Sequence, residues 1–160
     1  MTATDTNTEA RTLDEALQGL HFAMVGTPDN EVWKSRPLTL AGIEGSSLHF
    51  LVSADADWVQ SIGTGSTRCG TTFSDPSKND YVALQGSARA LRDQGLIEAL
   101  WSPEAGAYFE GKDDPNIRVL AVDVERGEYW DSPGGTIGRL LALTKAAAGG
   151  DPGKEGPIKL

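Results

Sequence analysis

Leu48-His49-Phe50-Leu51-Val52-Ser53 sets apolar Leu48, Phe50 and Val52 against His49, Leu51 and Ser53, and Ala54-Asp55-Ala56-Asp57-Trp58-Val59 follows at once. Alternation at a period of two predicts a strand with one apolar face. Trp58, Val59 and Ile62 then stand at helical spacing, with Ser53 or Asp55 as the cap and Gly63 and Gly65 as the stop. A strand running straight into a short helix makes the fold mixed, and the rest of the chain decides the proportion.

Upstream, His21 to Thr27 reads as a strand entering a turn at Pro28-Asp29-Asn30. Its hairpin partner runs from Val32 to Ile43 and is interrupted by Pro37. Thr12 followed by Glu15 is a capping-box pattern that predicts a helix over 12–20. Downstream, Arg68 to Ser74 and Tyr81 to Arg92 look extended, joined by the turn Asp75-Pro76-Ser77, with Gly86 as a bulge. Leu96, Ile97, Leu100 and Trp101 are helix-spaced; Asn116 to Glu125 alternates as a strand, and Glu128 to Asp131 is short and extended. Thr136 to Ala148 predicts a last amphipathic helix, ended by Gly149-Gly150. Residues 1–10 and 149–160 have no apolar periodicity and are expected to be loose, leaving one domain over 11–148. About six short strands with helices between some of them predict a mainly β, α+β chain: a small barrel with helices over its openings.

Composition fits that picture. Nineteen glycines and eight prolines in 160 residues favour turns and short strands. A net charge of −9 opposes nucleic acid and anionic membranes alike, so neither is expected as a partner. The longest stretch without a formal charge, Ala16 to Pro28, is 13 residues, where a spanning helix needs about 20. With Cys69 as its one cysteine and no signal-like start, the chain is expected to stay in the reducing cytoplasm.

Few residues advertise chemistry. His21 and His49 lie on different strands, and the pairs Asp55/Asp57 and Asp113/Asp114 have no histidine at ligand spacing, so no metal site is expected. Cys69 reads as a small core residue in preference to a nucleophile, and Gly63-Thr-Gly-Ser-Thr67 as a flexible loop, since no lysine follows it. Trp33, Trp58, Trp101 and Trp130 suit pocket walls, interfaces or core packing equally. Arg36 is the only charge between Ser35 and Ile43, which admits either a solvated side chain or an inward anion ligand.

Taken in order, Ser35-Arg36-Pro37, Leu48 to Ser53, Phe73-Ser-Asp-Pro-Ser-Lys-Asn-Asp-Tyr81-Val82, Leu100-Trp-Ser-Pro103, Phe109-Glu-Gly-Lys-Asp-Asp-Pro115 and Glu128-Tyr-Trp-Asp-Ser-Pro133 resemble one family. It is the bacterial general stress protein group of the pyridoxamine 5′-phosphate oxidase-like flavin-binding proteins. The resemblance covers about Leu13 to Leu140, and its last two motifs are the most specific. It implies a six-stranded split β-barrel with flanking helices, a homodimer, and two equivalent flavin sites at the dimer interface. The implied cofactor is FMN, less often FAD or a deazaflavin. By position, the resemblance puts Ser35, Arg36 and Pro37 along the flavin phosphate and ring, Val52 and Ser53 at the end of the strand leading to the phosphate, and Trp130 in the wall of the pocket or interface. No catalytic residue is implied.

One departure stands out. The family usually carries a serine or threonine and a lysine in the first helical turn after that strand, to hold the phosphate. Here those positions are Ala56 and Trp58, with the acidic Asp57 where an uncharged residue is usual. Each lost charge-assisted hydrogen bond is worth about 1.5–3 kcal/mol, so the pair of losses is expected to weaken flavin binding by about a hundredfold or more. Trp58 is expected instead to stack on an aromatic ligand. Two functions follow: a stress-related flavin oxidoreductase acting on a small molecule, or a non-catalytic dimer that has lost FMN or binds a different ligand.

Overall fold

A computed structural model describes residues 10–131 and 154–160. Among them are eight strands: β1 (Arg11–Thr12), β2 (Phe22–Asp29), β3 (Val32–Glu44), β4 (Ser47–Ser53), β5 (Thr67–Asp75), β6 (Asp80–Leu91), β7 (Ile117–Asp131) and β8 (Lys154–Lys159). Three short α-helices accompany them, α1 (Leu13–Ala16), α2 (Asp57–Ile62) and α3 (Gln94–Leu100). The chain is mainly β.

Six strands pair in a cycle: β7 with β4, β4 with β3, β3 with β2, β2 with β5, β5 with β6, and β6 back to β7, every pair antiparallel. Closure depends on β7 being long enough to serve two neighbours, and on the register shift opposite Gln85/Gly86, where Glu125 is the extra residue and β7 bends. Gly86 lies so close to the Asp123 carbonyl that no side chain fits there. Alternation then sends Val25, Phe50, Phe73, Leu84, Leu120, Val122 and Tyr129 into one buried core. Leu13, Leu17 and Leu20 pack on it beside α1, and Val59 packs on it from α2, while Ile97 of α3 joins Ile117 and Val119 in a smaller cluster.

Several expectations shift. The capping box forms, Thr12 Oγ1 accepting from Glu15 N and Glu15 Oε2 from Thr12 N, but the helix ends at Ala16 instead of 20. α2 has neither Ser53 nor Asp55 as its cap: the N-cap is Ala56, whose methyl side chain accepts no hydrogen bond, while Ser53 Oγ accepts from Asp55 N and Asn116 Nδ2. Pro28 lies inside β2, and the turn moves to positive-φ Asn30. β5 pairs with β2 only from Ala23 to Gly26, so Pro28 interrupts no ladder there. Pro37 fits within β3 for the same reason, since β4 meets β3 only from Leu40 onward. The two segments expected around Gly127 are one continuous strand, β7.

The largest correction concerns the stretch expected to be loose. Lys154–Lys159 is β8, antiparallel to the end of β7 and parallel to β1, with Ile158 buried in the main core. It takes up the edge of β7 that β4 leaves after Asp123. Among the described residues β8 and the two-residue β1 thus add to the six strands of the cycle. The expected helix from Thr136 to Ala148, and residues 1–9 of the expected loose start, lie outside the described residues.

Candidate functional site

Strand register separates the members of Ser35-Arg36-Pro37. Arg36 sits opposite Val25, which is fully buried, and Val25 sits opposite Thr71. Directly opposed residues share a face, so Arg36 faces the interior of the ring. Ser35 and Pro37 are exposed on the outside, opposite Gly26 and Met24.

The guanidinium of Arg36 is well defined. Its Nη1 donates to the Val25 carbonyl at 3.2 Å and to Thr27 Oγ1 at 2.8 Å, and Thr27 is itself buried. The Trp58 ring of α2 covers it, with Arg36 Cζ 4.3 Å from the ring centroid. Among the described residues, Nε and Nη2 make no hydrogen bond and no carboxylate pairs with Arg36. Burial lowers the Arg36 pKa, although Cys69 and Asp29 pull the other way. Burial also pushes the Cys69 thiol up to about 12, so it stays protonated and is no nucleophile at neutral pH.

The other predicted residues are distributed around this pair. Val52 is buried in the core and Ser53 ties the end of β4 to Asn116. Trp130 opposes Tyr81 on the outer face, three residues along β7 from Gly127, which shares the rung of Leu84 and Thr71. Both aromatics border a hollow of about 760 Å³ beside α1, with Arg11, Glu15, Asp80 and Asp131. Arg11 donates to Asp131 Oδ2 at 2.6 Å and lies 4.1 Å above the Tyr129 ring. So Arg36 and Trp58 come together, Ser35, Pro37 and Trp130 share the opposite side of the sheet, and Val52 and Ser53 support the frame.

Sequence reasoning undervalued Trp33, Phe22 and Met24. The Trp33 indole lies across Gly26 of β2 and Gly70 of β5, where side chains would collide with it or crowd it. It remains about half exposed, and Phe22 at 73% and Met24 at 46% are exposed on the same face of β2. The available signal was paired glycines in neighbouring strands together with apolar residues in both alternation phases of β2. Among the described residues no group of three or more His, Cys, Asp or Glu is arranged to hold a metal. No described helix is long and apolar enough to cross a membrane.

The model of the pyridoxamine 5′-phosphate oxidase-like family matches residues 8–153. The chain belongs to this family. A segment of 45 residues is 36% identical to general stress protein 26 of Bacillus subtilis, spanning 28% of this chain and 32% of that protein. The crystal structure of a candidate general stress protein 26 from Jannaschia sp. CCS1 superposes with a TM-score of 0.74 at 21% identity, over 91% of this chain and 94% of that one. The general stress FMN/FAD binding protein of Xanthomonas citri superposes with a TM-score of 0.64 at 29% identity, over 72% and 83%.

Proposed function

We propose that this member of the family is a cytoplasmic, homodimeric split-barrel protein that binds a flavin, FMN before FAD or a deazaflavin, and acts as a stress-related oxidoreductase on a small molecule. The observation that carries the reading is the outer sheet face. Phe22, Met24, Trp33, Pro37, Tyr81 and Trp130 leave its apolar surface bare, although the inside of the same strands is fully packed. Such a surface suits a second copy of the chain. The cyclic pairing of six strands supports the split-barrel reading, and the Xanthomonas citri neighbour, described as FMN/FAD binding, supports the choice of ligand class.

The residues present fit a flavin phosphate in one specific respect. Among the described residues Arg36 keeps its Nε and Nη2 donors unbonded and pairs with no carboxylate, so a ligand oxyanion meets donors and no like charge from that side chain's partners. A bound flavin supplies hydride or electron transfer; the chain supplies orientation, through the Arg36 edge, and exclusion of water.

A second reading, a dimer that binds a small molecule without redox chemistry, is favoured by the start of α2. Ala56 gives no side-chain cap, and Asp57 adds a negative charge. Absorbance of the purified protein and sedimentation equilibrium decide between them. Copurified or titratable flavin on a two-chain particle is expected; a single-chain mass removes the interface site, and a dimer that binds no flavin leaves the second reading.

A further inference from the structure

We infer that Trp58 is a positioning residue, which holds the Arg36 guanidinium so that its Nε/Nη2 edge reads an oxyanion on the ligand. This rests on the flavin reading above and assigns the flavin phosphate to that edge. Arginine offers five N–H donors in one plane, and an aromatic ring stacked on that plane leaves the edges available. At Arg36 the plane is covered by Trp58, and the Nη1 donors are occupied by Val25 O and Thr27 Oγ1. What remains among the described residues is the Nε/Nη2 side, the pair that meets two oxygens of a phosphate or carboxylate at once.

Charge points the same way. A part-buried cation normally finds an internal carboxylate, as Arg11 finds Asp131 at 2.6 Å. Among the described residues Arg36 has only neutral acceptors and an indole. The nearby Asp29 is occupied by Lys34 at 2.5 Å. The unneutralised charge is thus held in one place and one orientation, which spares a ligand the cost of ordering a long side chain. A tryptophan here does more than occupy a position where a cation would otherwise stand: it makes the remaining cation directional.

The test is selectivity between FMN and riboflavin, which differ by the phosphate alone. Titrated by quenching of flavin fluorescence, the native protein is expected to bind FMN at least about tenfold more tightly than riboflavin, the worth of a charge-assisted hydrogen bond. Trp58→Leu is expected to bring that ratio within about threefold by weakening FMN while riboflavin affinity moves less than about twofold; loss of both together would mean a merely structural role and overturn the inference. Trp58→Phe, which restores an aromatic face, is expected to recover the preference, and Arg36→Met to abolish it. A rise in FMN affinity on Trp58→Leu would show that the stack withholds Arg36, and would overturn the inference while leaving flavin binding intact. Failure of every form to bind either flavin would overturn the flavin reading and this inference together.

Discussion

Two arginines in this chain solve the same problem in opposite ways. Both are partly buried and both lie on an aromatic ring, Arg11 at 4.1 Å from the Tyr129 centroid and Arg36 at 4.3 Å from that of Trp58. Arg11 is neutralised by Asp131, and although burial pulls its pKa down, the hydrogen bond and charge of Asp131 outweigh it, so the net shift is upward. Arg36 has neutral partners, and burial carries its pKa downward. The first arrangement is a closed clasp that joins β1 to the end of β7. The second leaves charge and donors over, which is what a binding residue requires and a structural one does not.

The largest effect is expected from removing the strand that seats the Arg11 clasp. Ile158 is buried, and β8 bridges β1 and β7. Deleting residues 154–160 strips a buried side chain worth about 1.5–3 kcal/mol and bares the β7 edge. Calorimetry is expected to show a fall in Tm of about 4–12 °C for a loss of about 2–3 kcal/mol. A midpoint shifted by less than about 2 °C would mean that Arg11 and Asp131 hold this corner without β8.

Next in size is the contrast between the two side chains themselves. Arg11→Met leaves Asp131 without its partner at a site where both side chains are about a quarter exposed. A cost of about 1 kcal/mol is expected, between the values for exposed and buried pairs, together with a positive coupling in a double-mutant cycle with Asp131→Asn. Arg36→Met strands no carboxylate, so its stability cost is expected to be smaller, even though its cost to FMN binding is larger. Equal costs in chemical denaturation would break the comparison.

These expectations also measure how far the sequence could be read. The strand over Leu48–Ser53 and the Thr12/Glu15 cap were legible because each is a local rule whose consequence stays local. Glycine within alternation marked the place of the irregularity at Gly86, but the extra residue, Glu125, belongs to the facing strand β7, and Gly86 makes room for the Asp123 carbonyl. β8 was not, since Glu155-Gly-Pro-Ile-Lys159 carries one apolar side chain and draws its stability from neighbours more than a hundred residues away at Arg11 and nearer at Tyr129. The site was half legible. Arg36 stood out as a lone charge, but its facing inward while Ser35 and Pro37 face outward is a matter of strand phase, set by pairing with Val25. That Trp58 would meet an arginine of this chain, before any ligand ring, required the approach of Trp58 of α2 to Arg36 of β3, which no local pattern announces.

The smallest effect sharpens the electrostatic side of the comparison. Asp80 borders the same hollow as Arg11 and Asp131, and its pKa is raised, first by burial and then by the charges of Asp131 and Asp75, which Arg11 and Lys78 only partly offset. A carboxyl that binds its proton more tightly in the folded state than in the unfolded one lowers stability as pH rises through the ordinary carboxylate range and on past its folded value, after which the penalty is constant. Asp80→Asn removes the group that carries the penalty. It is expected to raise Tm by about 1–2 °C at neutral pH, a partly exposed group being well screened, and the gain is expected to shrink to nothing in acid, where Asp80 is protonated in both states. A gain that persists in acid would show that the amide acts by packing or hydrogen bonding. A loss at neutral pH would show that Asp80 shares Arg11 with Asp131, making the clasp a three-membered network in place of a pair.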